Sequence, residues 1–148
     1  MSRTKPGYTP QLGKAKYELY VQTYKRIERA RKAGFHIEAI ALTESLICDR
    51  LESLRTALTR NESQVSTIGR LLRDIAPYNV LSSELIEDLR TWNAMRGLSI
   101  HQIPKITSTE DVSWVKRIAY TREVAAQGLL VLKKLRRESD KVIRDSRV

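Results

Sequence analysis

Arg96 and His101 have the side-chain types needed to cleave a phosphodiester without a metal. An RNA strand carries its own nucleophile, the 2′-OH, which must lose a proton while the leaving 5′-oxygen gains one. An imidazole that titrates near neutral pH can serve either step. A guanidinium fork fits the non-bridging phosphate oxygens and stabilises the charge that builds on them. Dependence on the 2′-OH makes RNA, rather than DNA, the expected substrate. One histidine cannot easily act as base and acid together, so such a centre calls for a homodimer. A twofold axis would bring two copies of Arg96 and His101 into one cleft.

The spacing by itself is uninformative. Arg-x4-His occurs twice, as Arg31 to His36 and as Arg96 to His101. His36 follows Gly34 and Phe35 and reads as a helix-start residue. The second copy differs in its setting. Leu85, Leu89, Trp92 and Arg96 follow one another at steps of four, three and four, the stripe a helix turns toward a core. Arg96 thus stands where a bundle would place a leucine. A charge there costs free energy unless it is paired, lines a cleft or meets a second chain. Glu44 has the same problem on an earlier apolar stripe, and Arg96 or His101 is the economical counter-charge. One obstacle is geometric. On an unbroken helix, with ~100° per residue, five positions leave the two side chains about 140° apart. Either the helix deforms at Gly97, or the two residues meet groups on different elements.

Five helices would have to position these residues. Tyr17, Tyr20 and Tyr24 lie among apolar and basic residues over about Gln11 to Lys32, and Gly34 ends that stretch. The spacing predicts a second helix from Phe35 to Thr59, with Ile37, Ile40, Ala41, Ile47, Cys48, Leu51, Leu54 and Leu58 on one stripe. A short helix over Val65 to Ile75 stops before Pro77. Ser82 or Ser83 caps the helix that carries Arg96, and the chain turns between Gln102 and Ser108. Thr109-Glu110-Asp111 is an acidic start for a last helix that runs toward Arg144. Its stripe is Trp114 or Val115, then Ile118, Ala119, Arg122, Ala125, Leu129 and Leu132. No strand alternation, repeat or Gly-rich phosphate loop is found. The expected fold is all-α, an antiparallel bundle of four long helices and one short one. It forms a single domain over residues 12–140, with a flexible basic tail over 1–11 and a second basic tail over 141–148.

The segment Leu89 to His101 resembles the signature of HEPN domains (higher eukaryotes and prokaryotes nucleotide-binding) through Leu89, Trp92, Arg96 and His101. The helix order is similar over roughly residues 12–140. The resemblance implies a metal-independent endoribonuclease site made by Arg96 and His101 at a homodimer interface. It also implies a role as a toxin or phage-defence effector paired with an antitoxin protein. One position departs from the family pattern. The residue after the arginine is usually Asn or another polar residue, and here it is Gly97. Asn93, one turn earlier, is the candidate to take over a polar role. The alternative is a non-catalytic HEPN-like module that binds RNA, a nucleotide or a protein partner.

Charge points the same way. The 148 residues carry 27 Lys and Arg against 17 Asp and Glu, a net charge of +10. That excess favours an anionic partner, nucleic acid before an anionic membrane surface. Lys133, Lys134, Arg136 and Arg137 are the candidate nucleic-acid contacts. No Cys/His cluster suggests a metal, and no cofactor motif is found. The lone Cys48 reads as a small core residue in a reducing cytoplasm. No apolar run is long enough to span a bilayer, and the basic N-terminus lacks the apolar core of a secretory signal.

Overall fold

The computed structural model describes residues 9–61, 65–101, 103–105 and 113–146. Five α-helices account for most of them: α1 (Pro10–Ala33), α2 (His36–Thr59), α3 (Ile68–Ile75), α4 (Ser83–His101) and α5 (Trp114–Asp145). One 3-10 turn, Ala76–Tyr78, follows α3. No strand occurs among the described residues.

Local chemistry explains most of the boundaries. Thr9 accepts a hydrogen bond from the Leu12 N–H, Thr67 from Arg70 and Ser113 from Lys116, so three helices start on a hydroxyl cap. Ser82 caps α4 by accepting from Leu85 N–H at 3.1 Å. Pro10 stands in the first turn of α1, where its missing N–H costs nothing. Gly34, at φ 86°, closes α1 in the left-handed conformation that a side chain rarely adopts.

The long helices run antiparallel in two pairs, α1 with α2 and α4 with α5. Lys16 meets Asp49 and Ser53 while Arg26 meets Glu38, which fixes α1 against α2. Ser82 with Glu138, Asp88 with Lys134 and Trp92 with Val124 fix α4 against α5. The most extensive packing is between α2 and α5. These two run in the same direction, since His36 and Thr121 share one cleft and Arg50 reaches Ser139 and Asp140. The bundle is therefore up-down-up-down, with its like-directed pair in close contact and α3 folded across one end of α2.

Trp92 is the keystone of the α4–α5 contact. Its ring is 1% exposed, and its Nε1 donates to the Val124 carbonyl at 2.9 Å. The ring fits because residue 128 is glycine. A Cβ there would lie 2.8 Å from Trp92 Cζ2, well inside normal contact. Around it Leu85, Leu89, Ile40, Ile47, Leu51, Ala125, Leu132 and Leu135 make one apolar core.

Several sequence expectations need correction. In α2 the buried stripe is Ala39, Ile40, Thr43, Ile47, Leu51 and Leu54, and even Glu52 is buried; Ile37 and Ala41 face outward. Cys48 is half-buried, at the edge of the core rather than inside it. Trp114 and Val115 are exposed, so the core-facing part of α5 starts later. Helix α5 continues through residues 141–145 with Ile143 buried, so the bundle reaches past residue 140. Helix α3 starts at Ile68, after the Thr67 cap, and not at Val65. The acidic start at Thr109-Glu110-Asp111 and the basic residues Arg3, Lys5 and Arg147 lie outside the described residues.

Candidate functional site

Helix α4 turns Leu85, Leu89 and Trp92 inward, and Arg96 comes next on that face, one turn beyond the tryptophan. There it meets α2. The Arg96 Nη1 lies 3.3 Å from Glu44 Oε2, and its Nη2 donates to Asn93 Oδ1 at 3.1 Å. Arg96 keeps 18% of its side-chain surface and Glu44 32%, so the pair sits at the edge of the core. The Arg96 Nε is buried and has no hydrogen-bond partner. Three polar residues singled out from sequence, Arg96, Glu44 and Asn93, thus form one cluster between α2 and α4. Of the two counter-charges considered for Glu44, the structure places Arg96 beside it.

His101 is not part of this cluster. Helix α4 is continuous through Gly97 to His101, so the ~140° offset of an unbroken helix persists. His101 is exposed on the last turn, and no hydrogen bond or ion pair joins it to Arg96. Its exposed neighbour one turn back is Leu98. Arg117, near the start of α5, donates to the carbonyls of Ile103 and Lys105, which pins the chain just after His101. Trp114 and Val115, both exposed, are therefore at the same end of the bundle as His101. Gly97 has open space where a Cβ would be, so no close neighbour requires glycine there.

The four candidate nucleic-acid contacts do not form one patch. Lys134 is tied to Asp88 at 3.0 Å and lies 3.8 Å from Glu84. The hydrogen bond and the charge of Asp88 hold its ammonium pKa above the ordinary value. The Arg136 guanidinium lies over the Tyr20 ring, 4.1 Å from its centroid, and Tyr20 in turn stacks on Tyr24. Lys133 and Arg137 are exposed, and with Lys141 and Arg144 they follow one outward stripe of α5. Sequence order grouped residues that helix geometry separates.

In the sequence His36 reads only as a helix-start residue. It is 7% exposed, and its Nδ1 is buried without a hydrogen-bond partner. Burial, then the charges of Arg122 and Arg31, push its pKa below the ordinary value. Only the matching Arg-x4-His spacing marked it in the sequence; Arg122 comes from a helix far away in the chain.

Among the described residues no group of His, Cys, Asp and Glu could hold a metal ion. No helix among them is long and apolar enough to cross a membrane. No family model, curated protein or solved structure matches the chain.

Proposed function

We propose that this chain is a metal-independent endoribonuclease of HEPN type that acts as a homodimer. Arg96 and His101 from both chains supply the chemistry, and the biological setting is that of a toxin or phage-defence effector. The observation that carries the reading is the cluster at Arg96. A guanidinium occupies a core-facing position and is held there by Glu44 and Asn93 from two directions. Such fixed geometry is what a phosphate-stabilising arginine needs, since a preorganised charge costs no reorganisation during reaction. Stability alone is a weak reason for such a pair, since replacing a buried ion pair by apolar residues is often neutral or stabilising.

In this reading a single chain holds half of the machinery. Its His101 is about 140° round the helix from its own Arg96, so the partner's surface completes the cleft. Exposed Leu98, with Trp114 and Val115 at the same end, offers apolar surface for a twofold contact. RNA is held through the outward basic stripe of Lys133, Arg137, Lys141 and Arg144.

A second reading, a non-catalytic module that binds RNA, a nucleotide or a protein partner, is favoured by one observation. Glu44 already neutralises the Arg96 charge within the chain. Incubation of purified wild type, Arg96→Ala and His101→Ala with RNA in excess EDTA separates the two. The enzyme reading expects cleavage by wild type alone, with both variants folded. Equal RNA retardation by all three, without cleavage, replaces it with the binding module.

A further inference from the structure

Several cations have an anionic or carbonyl partner within the chain, while others, such as Lys133 and Arg137, stand exposed along the surface. Arg26, Arg50, Arg55, Arg96 and Lys134 each face a carboxylate, and Arg117 faces two carbonyls. What sets apart the corner where α1 turns into α2 is that cations from two helices converge on one cleft. Arg31 and Lys32 in the last turn of α1, and Arg122 of α5, line one cleft of about 500 Å³ with His36. Among the described residues no side-chain hydrogen bond or ion pair engages any of these three cations. Glu28 is the one carboxylate in the lining. Basic residues near a helix C-terminus complement its dipole, which accounts for Arg31 and Lys32. It does not account for Arg122, which a separate helix brings in.

We propose that this corner binds a phosphate monoester dianion. Three unpaired cations converge on it from two helices, and the N-terminus of α2 opens on the same place. No side chain caps α2, whose first residue is His36 itself. The first-turn N–H groups and the positive end of its dipole therefore favour an anion. The second, independent sign is His36. An imidazole more than nine-tenths buried, with Nδ1 unsatisfied, is costly unless something outside the chain completes it. A dianion bound in the cleft would supply a counter-charge to the protonated ring. The groups facing the ring are Glu28, Arg31 and Lys32 from α1, Glu38 (engaged by Arg26) from α2, and Arg122 and Thr121 from α5. Their summed field is positive. It disfavours the imidazolium in the empty cleft and ceases to do so once an anion is bound.

The ligand's remaining part has a place too. A second cleft of about 240 Å³ shares Gly34 and His36 with the first and is lined by Phe35, Ile37, Ile118 and Thr121. Phe35 is 62% exposed and makes no part of the core. A phosphate monoester joined to an apolar or planar group would span both clefts. A small phosphorylated molecule and the 5′-phosphate end of RNA share that chemistry. The site is separate from Arg96: Glu44 is eight residues along α2 from His36, about 12 Å. The inference therefore stands or falls independently of the ribonuclease reading.

The test follows the imidazole resonances of His36 by NMR in the full chain at constant ionic strength. The ligands are inorganic phosphate, then 5′-phosphorylated and 5′-hydroxyl versions of one short RNA. Saturable shifts with phosphate, and a higher apparent His36 pKa in the complex, are expected. Arg122→Gln, an exposed position that should not disturb folding, should weaken phosphate binding about tenfold. Preference for the phosphorylated RNA identifies the RNA end as ligand; saturation by phosphate alone with no RNA preference identifies a small molecule. No saturable His36 shift with any ligand overturns the proposal. So does an equal response to both RNAs without a phosphate response, or unchanged binding in Arg122→Gln.

Discussion

Replacing glycine by alanine inside a helix should raise stability at residue 97 and lower it at residue 128. Both residues lie in helix interiors, where alanine is favoured over glycine by about 0.5–1 kcal/mol. At Gly97 the new methyl meets nothing within 4 Å, so that gain is kept. The expected rise in melting temperature is about 1–4 °C for a chain of this size. At Gly128 the Cβ would lie 2.8 Å from Trp92 Cζ2 and 2.9 Å from Cε2 and Nε1. Ordinary carbon contacts are about 3.5–4.0 Å, so the ring must retreat by more than half an ångström. It sits in a closed core, and retreat also stretches the 2.9 Å bond from Nε1 to the Val124 carbonyl. Overpacking of this kind costs about 1–3 kcal/mol, and loss of the hydrogen bond about 1 kcal/mol more. Subtracting the helix gain leaves a net loss of about 1–3 kcal/mol, or a melting temperature lower by ~2–12 °C. Thermal unfolding followed by circular dichroism at 222 nm reads both. Equal shifts of the same sign would refute the reasoning, since the two sites then differ neither in packing nor in their relation to Trp92.

Three further outcomes are expected. A double-mutant cycle of Glu44→Gln and Arg96→Met in urea unfolding should give a coupling of about 1 kcal/mol, smaller at high salt because both groups keep some exposure; zero coupling would mean the pair does not hold in solution. His36 has its folded-state pKa below the unfolded value of 6.5, so the unfolded chain takes up the proton first as pH falls. The contribution is therefore present above about pH 6.5 and lost below it, and His36→Gln should flatten the fall in melting temperature between pH 7 and 5. For RNA retardation, Lys133→Gln with Arg137→Gln should reduce the slope of log affinity against log salt by about 0.7 per cation removed. Lys134→Gln should leave that slope nearly unchanged, because Asp88 already occupies the ammonium.

Most of the helices could be read from the sequence because the relevant signals are local. The Ser82 cap, Gly34 and the Leu85–Leu89–Trp92 stripe each act within a turn or two. The Arg96–Glu44 contact was also legible, since two charges on two apolar stripes must find each other or water. Contacts set by the rotation of one helix against another were not. Nothing in the sequence ties Gly128 to Trp92 across 36 positions, or Arg122 to His36 across 86. The row Lys133, Lys134, Arg136, Arg137 looks like one cluster on paper and scatters round α5 at ~100° per residue. Trp114 and Val115 extend the apolar pattern of α5, yet they lie where it has run past the core and are left exposed.

Mixing wild type with His101→Ala tests most directly whether two copies of the site residues make one centre. RNA cleavage in EDTA is measured at fixed wild-type concentration while the variant is added and subunits are allowed to exchange. If each centre needs His101 from both chains, random pairing predicts about half the activity at equal amounts and about one quarter at a threefold excess of variant. Activity that stays constant as the variant is added would show that each chain cleaves alone. No cleavage by wild type at any concentration would contradict the enzyme outright.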